Sequence, residues 1–344
     1  MEKSNKIIVG ISIGDINGIG IEVILKTFKD KRMFDFCTPV LFGAAKVISY
    51  HKKALNLTNN VYGIPSTKQI IHGKMNLVTV WREEAPISIG IPTKQSGKYA
   101  LKSLSVAVDS LKKGEIDTLL TAPINKENIQ SDSFNFPGHT EYLEEHLDGK
   151  SLMILMADQL RIGLITGHIP ISKVAESITP EIIKQKVATM HQSLTVDFGI
   201  NKPKIAVLGL NPHCGDKGVI GKEDDEIIRP TIAEIKKTGK LVFGPYAADG
   251  FFGSKTYKQF DGILAMYHDQ GLAPFKALSF GNGVNYTAGL SKIRTSPDHG
   301  TGFDIAGKGI ANSTSFKEAL FTSLQIFKHR IEYKNLTQNT LQIK

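Results

Sequence analysis

DGILAMYHDQG, residues 261–271, is the stretch on which the architecture turns. Its first half is short and continuously apolar, as in a strand covered on both faces. Its second half delivers a histidine–aspartate pair, His268 and Asp269, onto a loop. Two further stretches share this plan. LRIGLITGH (160–168) ends at His168, and PKIAVLGLNPH (203–213) ends at His213. In open α/β sheets ligands gather beyond the carboxyl ends of the strands, so the three imidazoles could converge there. Three neutral nitrogen ligands with positions left open describe a catalytic divalent metal rather than a structural one. Zinc, cobalt or nickel suits imidazole; magnesium would need a carboxylate, from Asp249 or Asp269. A lone histidine near a loop is usually just hydrogen-bonded, and it is the recurrence at three strand ends that carries the metal reading. Cys214, beside His213, could add sulfur, but neighbouring side chains in an extended segment point oppositely and a small buried residue suits it as well.

Downstream, the run to Gly307 gathers further polar groups: Lys276, Asn285 in a glycine-bounded turn, Arg294, and His299 followed by Gly300. These suit an anionic substrate. Upstream, KIIVGISIG (6–14) predicts a strand that leads through the glycine-rich turn GDINGIG into a helix beginning IEVILKTFKD. Such a turn can present backbone N–H groups to an anion, although its order is not the G-x-G-x-x-G of dinucleotide folds, and a tight β–α connection also explains it. Strands and helices go on alternating. TPVLFGA is a strand, KVISYHKKAL a helix, and residues 61–81 read as strand fragments. Apolar residues at helical spacing from Ala100 to Leu111 predict a helix closed by Gly114. TLLTAPINKENI predicts strand, turn and helix start; SLMILMAD another strand; Pro180 to about Val196 a helix, and Asp225 to Lys237 another. The run SFKEALFTSLQIFKHRIEY is an amphipathic helix, after which the last residues would fray. Histidine 139 stands where a turn enters a helix, with Thr140 a possible cap and Glu141 in the first turn. His51, His72, His146, His191 and His329 receive no role.

At 344 residues the chain is long for one core, so one large or two medium domains are expected. Its 41% hydrophobic and 22% charged content is that of an ordinary globular protein, with no run near the roughly 18 apolar residues that cross a bilayer. Cys37 and Cys214 build no disulfide framework and fit a reducing cytoplasm. The net charge of +9 is mostly dispersed lysine, without the arginine and aromatic clusters of a nucleic-acid surface. Neither nucleic acid nor a membrane is expected as a partner.

Five motifs together, FPGHTEYLEE, TGHIPISKVAESITP, LGLNPHCGD, MYHDQGLAPFK and GVNYTAGLSKIRTSPDHGT, resemble the 4-hydroxythreonine-4-phosphate dehydrogenases of vitamin B6 synthesis, and the similarity runs over nearly the whole chain. The resemblance implies two α/β/α domains around a cleft, as in isocitrate and isopropylmalate dehydrogenases, and a homodimer whose active site is shared between subunits. It implies that His168, His213 and His268 hold one divalent metal (zinc, cobalt or magnesium), and that His139, Thr140, Lys276, Asn285 and Arg294 hold the substrate. HGTGFDIAGKGIAN (299–312) resembles the isopropylmalate dehydrogenase loop for the adenosine part of the cofactor, which would bring Gly300, Thr301, Asp304 and Asn312 to NAD or NADP. Residues 1–130 plus 300–344 are expected to form one discontinuous domain with part of the cofactor site, and 131–299 the other, with the metal, substrate and dimer-contact residues. The implied reaction oxidises 4-phosphooxy-L-threonine at C3 and then decarboxylates it to 3-amino-2-oxopropyl phosphate, with Lys276, Asp249 or Asp269 as base. The alternative is a sister dehydrogenase for 4-phospho-D-erythronate or 4-phospho-D-threonate. A phosphate acyltransferase or a non-catalytic binding protein are more distant readings. One departure stands out: where the family commonly reads G-[DE]-P-[AN]-G-I-G-P-E, this chain has Ile16 and Ile21 in place of the prolines, which would loosen the turn.

Overall fold

The apolar runs become strands in the computed structural model, which describes residues 6–279 and 281–338. The expectation of frayed last residues falls on 339–344, outside the described residues. Contacts divide the chain into two units, 1–148 with 291–327 and 149–290 with 328–344. The divisions lie at 148/149 and 290/291, not at 130/131 and 299/300, so His139, Thr140 and Arg294 belong to the first unit.

In the first unit six strands are ordered β3-β4-β2-β1-β5-β12. They are β1 (Ile7–Ser12), β2 (Cys37–Gly43), β3 (Val61–Ile64), β4 (Met75–Thr79), β5 (Thr118–Thr121) and β12 (Ile293–Pro297). Every pairing among them is parallel. All seven residues of β2 are buried, as expected of a strand covered on both faces. Helix Gly20–Thr27 follows the glycine turn, and helix Lys94–Lys112 opens on a capping box in which the Thr93 hydroxyl accepts from Ser96 N–H at 3.0 Å. That second helix ends as the sequence predicts: Gly114, at φ +73°, donates its N–H to Leu111.

The second unit orders its strands β11-β6-β7-β10-β8-β9: β6 (Gly149–Ala157), β7 (Leu160–Leu164), β8 (Lys204–Leu208), β9 (Leu241–Tyr246), β10 (Gly262–Ala265) and β11 (Val284–Leu290). β7, β10, β8 and β9 pair in parallel, but β11–β6 and β6–β7 are antiparallel. For β6–β7 the reason is local. Ala157 pairs with Leu160, and the two residues left between them make a hairpin, a link that only antiparallel strands accept. Helix Pro180–Val196 starts on Thr179, whose hydroxyl accepts from Ile182 N–H.

Three local expectations change. MYHDQG is not a loop: helix His268–Ser279 begins at His268 itself, and Gly271 lets it sit directly on the sheet, since a Cβ there would come within 2.9 Å of Ala265. Asn285 lies in β11, where every residue from Val284 to Leu290 except Asn285 and Gly289 is buried, rather than in a turn. NKENI forms turns, not a helix start.

The carboxy-terminal helix, Thr314–Thr337, spans both units, and its last part is tied into the second by a buried carboxylate. Asp197 accepts from Arg330 Nε at 2.6 Å, Tyr286 Oη at 2.6 Å and Ser193 Oγ at 2.7 Å. Burial, and then the Asp197 charge, push the Tyr286 phenol well above its ordinary pKa. Removing one partner of a buried, hydrogen-bonded charge pair costs about 3–5 kcal/mol. Asp197→Ala is therefore expected to lower the unfolding free energy by that much in urea titrations; a loss under about 1 kcal/mol would make the clasp incidental.

Candidate functional site

A buried polar cluster lies in the first unit. Arg294, on β12, is 2% exposed, and its Nε and Nη2 donate to Thr121 Oγ1, at the end of β5, at 3.0 and 2.6 Å. His139 opens helix His139–His146, and its Nε2 is buried without a hydrogen-bond partner. Burial, then the charges of Arg294 and Lys126, hold this imidazole well below its ordinary pKa, so it is neutral. Burial also draws the Arg294 guanidinium down to about 9, with Glu141 opposing. A buried guanidinium beside a neutral imidazole is an arrangement that can take an anion. Thr140 sits half-buried in the same first turn, but the helix has no side-chain cap, so the capping expected of it is not made. Lys126 and Glu141 received no ligand role from the sequence. Only the packing of a turn after β5 against this helix brings them to Arg294.

The glycine turn and the 299–312 loop meet in the same unit. Gly14, at φ +69°, leaves no room for a side chain, because a Cβ would lie 2.3 Å from the Pro123 oxygen. At Gly18 a Cβ would lie 2.6 Å from the Thr301 oxygen, which accepts the Ile19 N–H at 2.9 Å. Asp15 is buried and accepts from Asn17 N–H, Ser96 Oγ and Asn128 Nδ2. His51 Nε2 meets the Ile16 oxygen at 2.8 Å, and Ile16 and Ile21 are fully buried. The turn without prolines is packed and hydrogen-bonded at these points. Farther along, Glu22 Oε1 accepts from Ala311 N–H at 2.9 Å, while Lys26 Nζ donates to the Gly309 and Ala311 oxygens at 2.8 Å each. Gly300, Asp304 and Asn312 are exposed and Thr301 is buried. Asn312 Oδ1 accepts from Thr314 N–H and Oγ1, so it serves the start of the long helix.

In the second unit the rings of His168 and His268 stand side by side, centroids 5.5 Å apart. His268 Nδ1 is bonded to Asp269 at 2.7 Å, which directs Nε2 outward in the manner of a metal-bound imidazole with its orienting carboxylate. His213 does not join them. Among the described residues no group of three or more His, Cys, Asp or Glu is placed to hold a metal. His213 stands on Pro212–Gly218, where residues 213–217 all have left-handed φ of 44–81°. The turn is pinned by buried Asp224, which accepts from Leu210 N–H, Asn211 N–H and Asn211 Nδ2. This left-handed path also removes the extended geometry assumed for Cys214, which is half-buried. Burial raises that thiol, and Asp249 is one of the carboxylates close enough to add to the rise. Asp249 and Lys276 are both exposed, and Asn285 holds a buried Oδ1 with no hydrogen-bond partner. Gln270, quoted within a motif but given no role, clamps two strand ends: Oε1 accepts from Met266 N–H at 2.7 Å, and Nε2 donates to the Gly209 oxygen at 2.6 Å.

The family described as "Pyridoxal phosphate biosynthetic protein PdxA" matches residues 35–323. A 4-hydroxythreonine-4-phosphate dehydrogenase of Bacteroides thetaiotaomicron is 49% identical over 342 residues, 99% of this chain and 94% of its own length. A protein of Oceanobacillus iheyensis, provisionally named D-threonate 4-phosphate dehydrogenase, is 35% identical over 94% of this chain and 98% of its own. The crystal structure of a 4-hydroxythreonine-4-phosphate dehydrogenase from Klebsiella pneumoniae superposes with a TM-score of 0.80 at 30% identity, covering 95% of this chain and 99% of that one. The mixed α/β fold is thus shared with dehydrogenases. No helix among the described residues is long and apolar enough to cross a membrane.

Proposed function

The chain belongs to the PdxA family of pyridoxal phosphate biosynthetic proteins, an oxidoreductase by its relatives, and on that premise we propose that it oxidises 4-phosphooxy-L-threonine at C3 with NAD or NADP, in pyridoxal 5'-phosphate biosynthesis. The observation that carries the substrate class is the buried Arg294 guanidinium beside the orphaned His139 imidazole, a pair suited to a phosphate. Arg294 meets the phosphate with its planar fork, His139 and Thr140 donate to it, and Lys276 and Asn285 bind the remaining polar groups.

NAD or NADP would supply the hydride acceptor for C3, and the hydroxyl proton passes to a base on this chain. Asp269 is engaged in orienting His268, which leaves Lys276 and Asp249 for that proton. The 3-keto acid so formed has its carboxylate β to the carbonyl and loses carbon dioxide to give 3-amino-2-oxopropyl phosphate. His168, His213 and His268 would hold a divalent zinc, cobalt or magnesium ion, which would supply Lewis acidity to the substrate alcohol. Within one chain only two of these imidazoles come together, so the set of three is completed when two copies meet. Exposed apolar residues beside the histidines support such a homodimer: Ile171 is 71% and Val219 81% exposed. For the cofactor, Gly300 and Gly309 have open space where a side chain would stand, and the Glu22–Lys26 staple fixes Gly309 and Ala311. Gly300, Thr301, Asp304 and Asn312 are the residues we assign to it. The protein's place would be the cytoplasm.

Substrate choice is tested by steady-state assays. The expected result is a strong preference in kcat/KM for 4-phosphooxy-L-threonine over 4-phospho-D-erythronate and 4-phospho-D-threonate. The opposite order would transfer the chain to the function named for the Oceanobacillus relative.

A further inference from the structure

The glycine turn after β1 and Thr121 at the end of β5 lie at the carboxyl ends of the first unit's strands. Its amino ends carry a separate cavity of about 380 Å³, at the starts of β1, β3 and β4. One wall is aromatic. Phe34 stacks on buried Phe28 with centroids 5.8 Å apart, and Tyr62 lies under Lys74, whose Nζ is 5.2 Å from the ring centre. The floor is fixed, because Asn59 Nδ2 donates to the Leu25 oxygen at 2.9 Å. Four lysines line the cavity, against one carboxylate, Asp35. Lys6 is already committed, donating to the Phe34 oxygen at 2.8 Å. Lys29, Lys31 and Lys74 are exposed and make no ion pair among the described residues, and elsewhere on the chain lysines are dispersed.

Converging ammonium groups repel one another, and a multiply charged anion relieves that repulsion. Flat apolar walls beside cations accept a planar ring. Small-molecule pockets run from roughly 300 to 1,000 Å³, so this cavity of about 380 Å³ holds a mononucleotide-sized ligand and not a dinucleotide. We propose that the cavity binds a ring-bearing phosphomonoester, its heteroaromatic ring against Phe34 and Tyr62 and its phosphate among Lys29, Lys31 and Lys74. Asp35 accepts a hydrogen bond from a ring substituent. Pyridoxine 5'-phosphate and adenosine monophosphate both have this chemistry.

Titration calorimetry on the full chain, with pyridoxine 5'-phosphate, adenosine monophosphate and inorganic phosphate, decides the matter. Pyridoxine 5'-phosphate has no aldehyde, so condensation with lysines does not confuse the result. At least one ring-bearing ligand should bind about tenfold or more tighter than inorganic phosphate. Lys31→Glu/Lys74→Glu should weaken it by about tenfold or more, since two attractive charges become repulsive. Turnover of 4-phosphooxy-L-threonine by this variant should be unchanged, which separates the cavity from the Arg294 cluster. Whichever ring-bearing ligand binds and responds identifies the source. No binding, binding no tighter than inorganic phosphate, or binding unaffected by the double substitution overturns the proposal.

Discussion

With His268 replaced by alanine, turnover should fall by about a thousandfold or more, because a catalytic metal contributes several kcal/mol to the transition state and each 1.36 kcal/mol is a factor of ten. Bound metal, measured by elemental analysis, should drop in parallel. The fold should survive, since the His268 side chain is 39% exposed and its bonded partner is the still more exposed Asp269. Asp269→Asn keeps the shape but weakens the orienting acceptor, so a smaller loss, about 10–100-fold, is expected there. Undiminished turnover in His268→Ala, or full metal content, would sink the metal assignment. Metal-stripped wild-type protein should be inactive and recover with zinc or cobalt.

Arg294→Ala is expected to reduce kcat/KM for the phosphorylated substrate by two to three orders of magnitude, that is about 3–4 kcal/mol of lost charge-assisted hydrogen bonding in a buried setting. The informative comparison is with 4-hydroxythreonine lacking its phosphate, on which wild type and variant should perform about equally poorly. If the variant loses as much on that substrate as on the phosphorylated one, Arg294 is structural and the phosphate reading fails. Arg294→Lys should not restore the activity. A single ammonium cannot reproduce the fork that reaches Thr121 through two nitrogens while facing a ligand.

Much of the frame can be read along the chain because it is local. Apolar runs of strand length, a proline after Thr179 and a glycine closing a helix at position 114 each act within a few residues. What the chain hides is whatever depends on distance. Arg294 stands out by its rarity, yet its partner Thr121 is 173 residues away, and Lys126 and Glu141 join only through that pairing. Side-by-side His168 and His268 follow from the parallel neighbours β7 and β10, whose order in the sheet no periodicity announces. The glycine turn is held by a contact of the same kind: His51 bonds the Ile16 oxygen across 35 residues. Asn285 was misplaced because flanking glycines resemble a turn, whereas the segment pairs with β6 as a strand.

The reversed coil that carries His213 behaves as a sprung catch. Each L-residue held on that side of the map costs roughly 1–2 kcal/mol, and only Gly215 of the five is exempt. The latch is Asp224, a carboxylate on a separate stretch that grips Leu210 and Asn211 just before the coil. Loosening the latch would let the backbone snap to its ordinary handedness and carry the imidazole away. The position of His213 is therefore guarded by an acid eleven residues downstream of it in the sequence.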